Sequence, residues 1–161
     1  MITQQQALDL FEYRDGDLYW NVKPAKQIAI GSKAGCENSH GYRVVRVNGV
    51  LYGIHRIIFL MHHGHLPEYI DHADGDRLNN RIENLRQATN IQNSYNRGKQ
   101  SNNRSGFKGV HWKKQIKHWV VEIQVNKTKK YLGIYKDLEL AALVAAEARD
   151  LYHGSFAKQG A

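Results

Sequence analysis

The stretch from Tyr69 to Asn96 constrains the fold of this chain more than any other. Tyr69-Ile70-Asp71-His72 reads as a short strand, and Ala73 to Asn80 reads as a polar turn containing Asp74-Gly75-Asp76. Ile82-Glu83-Asn84-Leu85-Arg86 returns as a second strand, and Thr89 can cap a helix from Asn90 to Asn96. Strand, long turn, strand, helix leaves few ways to pack. An acid adjoins a histidine at 71–72, and asparagines follow at 79, 80, 84 and 93. A turn or a core has little use for that mixture.

Phosphodiester cleavage does use it. That reaction needs a base to activate water and hard oxygen ligands to hold a metal ion against phosphate. A histidine near neutral pKa suits the base, and aspartate and asparagine oxygens suit magnesium. His72 follows Asp71 in a strand, so the two side chains point to opposite sides.

The charge is distributed unevenly. The 161 residues carry a net charge of +8. From Arg97 to Lys136 stand eleven Lys or Arg against one acid, Glu122, whereas the rest of the chain carries twelve against fourteen. The whole positive excess therefore lies in one segment, which is the pattern of a phosphate-binding surface. Aromatic residues interleave with the charges, which favours nucleic acid over a merely solvated face. There is no apolar run long enough to span a bilayer, and the N-terminus has no secretory pattern. The single cysteine, Cys36, cannot close an internal disulfide or supply half a zinc knuckle. These points imply an intracellular protein without membrane contact or structural zinc.

Three pieces follow along the chain. Residues 1–48 open with a helix from Gln4 to Phe11, then short strands including Asp17 to Trp20. Gly41 to Val47, the Asn48-Gly49 turn and Val50 to Tyr52 read as a hairpin. Residues 53–97 begin with a helix from Ile54 to His63, whose Ile54, Ile57, Ile58 and Met61 share one stripe. Residues 98–106 are polar and read as a linker. Residues 107–161 hold strands at Phe107–Trp112, His118–Val125 and Lys130–Tyr135, then a helix from Leu138 to His153 capped by Asp137 and stopped by Gly154. The fold class is α+β: a ββα centre plus a three-stranded antiparallel sheet packed on one helix. The domains are 1–97, with its motif at 53–97, and 107–161.

Two resemblances sharpen this. His55-Arg56, Ile70-Asp71-His72, Asp74-Gly75-Asp76, Leu78-Asn79-Asn80-Arg81, Glu83-Asn84-Leu85-Arg86 and Gln92-Asn93 resemble the His-Asn-His (HNH) homing endonucleases of phages, over about residues 40 to 96. The resemblance implies a ββα-metal nuclease with His72 as general base and Asp71 and Asn93 holding a divalent metal, Mg2+ or Mn2+. Asn84 would brace the turn and orient His72. It also implies a phage-infected bacterial host. Asn90 and Asn96 remain alternatives to Asn93, and Asn79 and Asn80 read as turn formers, with Asn80 a candidate to support the site residues from behind. Secondly, Ser105-Gly106-Phe107-Lys108-Gly109-Val110, Trp119 to Ile123, Tyr131-Leu132-Gly133, Ala141-Ala142 and His153-Gly154 resemble the DNA-binding domain of plant ethylene-response factors (the apetala type), over about residues 104 to 157. That implies a sheet laid in the major groove of double-stranded DNA.

By position, Lys108, His111, Lys113, Gln124 and Lys130 would face DNA, with Arg86, Arg97, Lys99, Arg104 and Lys114 as further phosphate contacts. Trp112, beside two lysines, is a candidate stacking residue. The expected function is metal-dependent cleavage of DNA, as a nick or a double-strand break, by a monomer or a homodimer. The alternatives are a catalytically inactive DNA-binding regulator and an RNA-directed protein.

Overall fold

The computed structural model describes residues 1–99 and 101–157. They fall into two compact units, Met1–Ala88 and Thr89–Ala161.

The first unit starts with α1 (Gln4–Leu10), whose cap residue Thr3 exchanges hydrogen bonds with Gln6 in a capping box. β1 (Phe11–Arg14) and β2 (Asp17–Trp20) form an antiparallel hairpin. β3 (Cys36–Glu37), β4 (Arg43–Val47) and β5 (Val50–Gly53) form a three-stranded antiparallel sheet in that order. Asn48 and Gly49 both take positive φ, as a two-residue hairpin turn requires, and Val47 pairs with Val50 across it. α2 (Ile54–His63) follows and ends on Gly64 in the left-handed conformation. β6 (Tyr69–His72) and β7 (Leu85–Ala88) make a two-stranded ribbon, with a short 3-10 turn at Ile82–Asn84 between them. The expected strand at 82–86 is thus split. Asn84 folds back to bond the turn, so pairing starts only at Leu85.

The helix stripe read from sequence is the core of this unit. Ile54, Ile57 and Ile58 are at most 1% exposed and pack with Phe11, Leu18, Val45, Ile70 and Leu85. Each such side chain contributes on the order of 2 kcal/mol through removal from water. The N-terminal hairpin and the ββ ribbon therefore share α2 as one support.

The second unit opens with α3 (Asn90–Tyr95), capped by Thr89 in a second capping box with Gln92. β8 (Val110–Lys113), β9 (His118–Val125) and β10 (Thr128–Tyr135) form an antiparallel sheet with β9 central. α4 (Leu138–His153) packs on one face, with Ala141 and Ala145 against Val110 and Val121. Small side chains permit that close approach. A short 3-10 turn at Gly154–Phe156 follows.

Segment 98–106, expected as a linker, belongs to the second unit; its Gln100 lies outside the described residues. The physical reason lies at both of its ends. Tyr95 stacks on His153 at 3.8 Å, and its hydroxyl accepts from the Asn126 N–H at 2.8 Å. Ser105 is buried, with its hydroxyl donating to the Val110 carbonyl at 2.7 Å. These anchors tie α3 and the segment behind it to the sheet-plus-helix unit.

Candidate active site

The ββ ribbon sets out the first set of residues. Asp71 pairs with Arg86 and His72 with Leu85, so Asp71 and His72 point to opposite sides, as expected. His72 shares its side with Leu85 and therefore turns toward the core beneath α2. There its ring lies 5.3 Å from that of His55 on α2 and 6.3 Å from Tyr42 on the preceding loop. Asp71 and His72 are only 4% and 5% exposed, so both need polar partners.

The partner of His72 is Asn80. Its Oδ1 lies 2.9 Å from His72 Nε2, and its Nδ2 donates toward the Leu78 carbonyl at 3.4 Å. The amide is thereby oriented with its oxygen toward the imidazole, an arrangement in which Nε2 is the donor. Asn80 is 2% exposed and this bond holds the ring in one pose.

Asn84 braces the turn instead. Its Oδ1 accepts from the Asp74 N–H at 3.0 Å, and its Nδ2 donates to Asp74 Oδ1 at 2.9 Å and to the Asn79 carbonyl at 2.7 Å. Its main-chain carbonyl accepts from the Ala73 N–H. The expected brace is present, while the residue bonded to the His72 side chain is Asn80. Burial pushes the Asp74 carboxyl upward, but hydrogen bonds from Asn79, the Asp76 N–H and Asn84 outweigh it and hold it below the usual carboxylate range.

The N-terminal region supports this turn directly. The Ile82 N–H donates to the Tyr13 hydroxyl at 3.1 Å, and Arg77 donates to the His40 carbonyl at 3.0 Å. Gly16, at φ +88, lies so close that a Cβ there would stand 2.8 Å from the Arg81 nitrogen. Sequence reading left residues 1–48 without a role; the structure makes them the buttress of the turn.

His55 was read as a packing residue or a partner of the turn. Its Nδ1 is buried without a hydrogen-bond partner among the described residues. Burial, then the nearby His72 and Arg56, push its pKa down to about 3, so this imidazole is neutral at working pH.

Arg86, expected on DNA, is committed elsewhere. Its Nε and Nη2 both donate to Asp71 Oδ2, at 2.9 and 2.7 Å. These are charge-assisted bonds, and both converge on one carboxylate oxygen. Asn93 sits in the second unit on α3, with its N–H bonded to the Thr89 carbonyl.

A metal ion can be tested against these donors. Among the described residues no three His, Cys, Asp or Glu side chains gather into a ready ion cage. The histidine run 62, 63 and 65 instead bonds to main chain and packs on Phe59. A buried, oriented carboxylate and amide oxygens are nonetheless hard donors. They fit an ion that takes one or two protein oxygens and completes its shell with phosphate and water.

In the second unit, strand register assigns the faces. Val110 pairs with Val121 and Trp112 with Trp119 on the α4 side. His111, Lys113 and Gln124 fall on the opposite, outer face, as expected. Lys130 does not. Gln124 pairs with Lys129, which puts Lys129 and Tyr131 on the outer face and turns Lys130 toward α4, where its Nζ lies 4.2 Å from the Tyr152 ring centre. Lys108 is also turned inward: its Nζ donates to the Tyr95 and Arg97 carbonyls at 2.7 and 2.6 Å. Trp112 lies in β8 on the α4 side, edge-on to Trp119 at 5.0 Å, and so is not placed to stack on the outer face. Lys114 lies just past β8, and Arg97, Lys99 and Arg104 lie in the segment before it. Sequence reading missed Lys129 and Tyr131; the β-bulge between Tyr131 and Gly133 obscured the alternation.

Comparison with known proteins agrees with this geometry. The HNH endonuclease family model matches residues 52–95. "Protein 3.8" of Escherichia phage T7 is 35% identical over 97 residues, covering 59% of this chain and 79% of that protein. "Uncharacterized HNH endonuclease L560" of Acanthamoeba polyphaga mimivirus is 46% identical over 52 residues, covering 30% of this chain but only 28% of that protein. No solved structure gives a significant match. Residues 52–95 thus carry a match to the HNH endonuclease domain, and the α+β fold is consistent with the ββα-metal type. The phage T7 protein is the relative it matches over most of that relative's length. Nuclease activity is supported, DNA is the substrate such a domain implies, and HNH nucleases in general depend on a divalent metal. Among the described residues no helix is long and apolar enough to cross a membrane.

Proposed function

We propose that this protein is a homing-type HNH endonuclease that hydrolyses one phosphodiester of duplex DNA per site, with His72 as general base. The observation that carries this is the pose of His72. A buried hydrogen bond to the Asn80 Oδ1, with Nε2 as donor, holds the ring in the pose in which we assign Nδ1 as the base. This occurs beside an oriented carboxylate, within the residues that match the family. In the step we assign, Nδ1 takes a proton from water as the water oxygen attacks phosphorus. The bond from phosphorus to the 3′ oxygen then breaks.

Asp71 is the residue we assign to holding a divalent ion, Mg2+ by the hardness of its oxygen donors and Mn2+ as a substitute. Bound there, it would stabilise charge building on the phosphate and the leaving oxygen. Arg86 sets the direction of the Asp71 carboxylate and Asn84 the shape of the turn. We assign residues 1–97 to the nuclease domain and 107–161 to DNA binding, in the manner of the plant ethylene-response-factor sheet, with His111, Lys113, Gln124 and Lys129 on the face that meets DNA. The setting we infer is the interior of an infected cell, which the viral origin of both relatives supports.

Supercoiled plasmid, incubated with magnesium or manganese and with chelator, tests this beside His72→Ala. Conversion to nicked or linear plasmid by wild type, lost with chelator and in the variant, is the expected result. Equal conversion by His72→Ala removes the base assignment. Absence of cutting by wild type under every divalent ion, with duplex binding intact, favours the inactive regulator instead.

A further inference from the structure

The second unit holds a buried cation with no ion pair among the described residues. Arg149, on α4, is only 6% exposed. Its Nη1 donates to the Lys108 carbonyl at 2.6 Å, while its Nε is buried with no hydrogen-bond partner among the described residues. No carboxylate among the described residues forms an ion pair with it. Glu122, on the central strand β9, pairs with Lys129 at 3.7 Å. Burial draws the guanidinium pKa down, against the attraction of Asp150 at the next position along the helix. His153, one helical turn on, is likewise buried, with an unpartnered Nδ1 and a pKa lowered first by burial.

A guanidinium taken out of water without an anion costs several kcal/mol, and folds rarely keep one without a use. Here it lines a concavity. A cleft of about 710 Å³ lies within this unit, bounded by Arg97, Lys99, Arg104, Lys108, Lys114 and Arg149 among others. Glu122 is the one acid among the described residues lining it, and its charge is met by Lys129. A cleft with low-dielectric walls and one sign of charge concentrates anions. A guanidinium, planar and always charged, fits two oxygens of a phosphate.

We propose that this cleft is a phosphate site, in which Arg149 is held ready for a backbone phosphate of duplex DNA. The cleft runs from the segment 97–108 to His111, Gln124 and Lys129 of the outer face, so Arg149 would add a phosphate contact to that face from the buried side of the cleft. The DNA part of the proposal rests on the nuclease reading above; the anion part rests only on Arg149 and the cleft.

The test compares the full-length wild type with Arg149→Met and Arg149→Lys. Binding of a labelled duplex is followed by anisotropy at several salt concentrations, with magnesium left out so that no cutting occurs. The melting temperature of each free protein is measured in phosphate and in chloride at equal ionic strength. Arg149→Met is expected to bind duplex roughly five- to tenfold more weakly at moderate salt. Its slope of log affinity against log salt should be about 0.9 shallower, the signature of one lost phosphate contact. Phosphate should raise the melting temperature of wild type, and less that of Arg149→Met, with Arg149→Lys between them.

Equal affinity and slope for wild type and Arg149→Met would overturn the proposal while leaving the nuclease reading standing. Wild type that ignores duplex yet gains stability from phosphate through Arg149 would remove DNA as the ligand and keep the anion site. Should Arg149→Met fail to fold, the wild-type comparison of phosphate with chloride still decides: no difference in melting temperature overturns the site.

Discussion

The two units use polar residues in opposite ways. In the first, three buried polar side chains of the candidate site are answered: Asp71 by Arg86, His72 by Asn80, and Asn84 by three bonds into the turn. In the second, positive charge is gathered on surfaces and in a cleft, and most of it is not answered by the protein itself. A site that must place one proton-accepting atom within a fraction of an ångström is built as a closed network, because a half-satisfied buried network is costly and mobile. A surface that must attract a polyanion needs surplus charge, which internal ion pairs would cancel.

The largest expected effect breaks the first network at its chemical end. His72→Ala should lower the cutting rate by roughly 10²–10⁴-fold, the usual range for loss of a general base. Duplex affinity should hold, because the charge that grips DNA lies in the other unit. A parallel fall in binding and cutting would show that the division of labour is wrong. Breaking the same network at its structural end should show in stability. Asn84→Ala removes an acceptor and two donors from a residue that is 8% exposed, and leaves Asp74 N–H and the Asn79 carbonyl to find other partners. A loss of about 3 kcal/mol is expected in denaturant unfolding. A loss below about 1 kcal/mol would mean that water replaces the brace.

The pH dependence of the first unit follows from His55. Its folded pKa, near 3, lies below the ordinary value of 6.5, so the unfolded chain binds a proton that the folded chain refuses. The contribution to stability is whole above about pH 6.5 and is lost as the pH falls toward 3. From pH 7 to pH 5 the loss is about 2 kcal/mol, at about 1.4 kcal/mol per pH unit below 6.5. His55→Phe keeps a ring in the same place and cannot titrate. It should shrink the difference in unfolding free energy between pH 7 and pH 5 by about that amount. An unchanged difference would assign acid sensitivity to other groups.

Much of this was legible in the sequence, and the failures have physical causes. The α2 stripe, the Asn-Gly hairpin, the Thr89 and Asp137 caps and the Gly154 stop are local signals, and the elements stand where those signals put them. The pairing of Asp71 and His72 on opposite sides followed from strand parity alone. What could not be read locally was which asparagine meets His72. Asn80 and Asn84 lie four residues apart in an irregular turn whose path is set by distant contacts from Tyr13 and Gly16. The reach of the second unit back to Thr89 was hidden for the same reason, since it depends on Tyr95 meeting His153 and Asn126. Arg86 looked like a phosphate contact because its partner Asp71 sits fifteen residues earlier, across a ribbon.

The smallest expected effect is also the sharpest test of the second unit. Lys129 and Lys130 are neighbours in sequence and equal in charge, but the register of β10 on β9 separates them. Lys129 shares the outer face with Gln124, whereas Lys130 lies over Tyr152 on the side of α4. If the outer face meets DNA, Lys129→Ala should weaken duplex binding a few-fold and make the salt slope shallower by roughly one. Lys130→Ala should leave the slope nearly unchanged and cost on the order of 0.5 kcal/mol of stability through the lost contact with the ring. Net charge alone cannot separate these variants, because each removes one positive charge. Equal changes in slope would therefore mean that the unit attracts DNA as a diffuse cloud of charge, and a larger change for Lys130 would mean that DNA lies along α4.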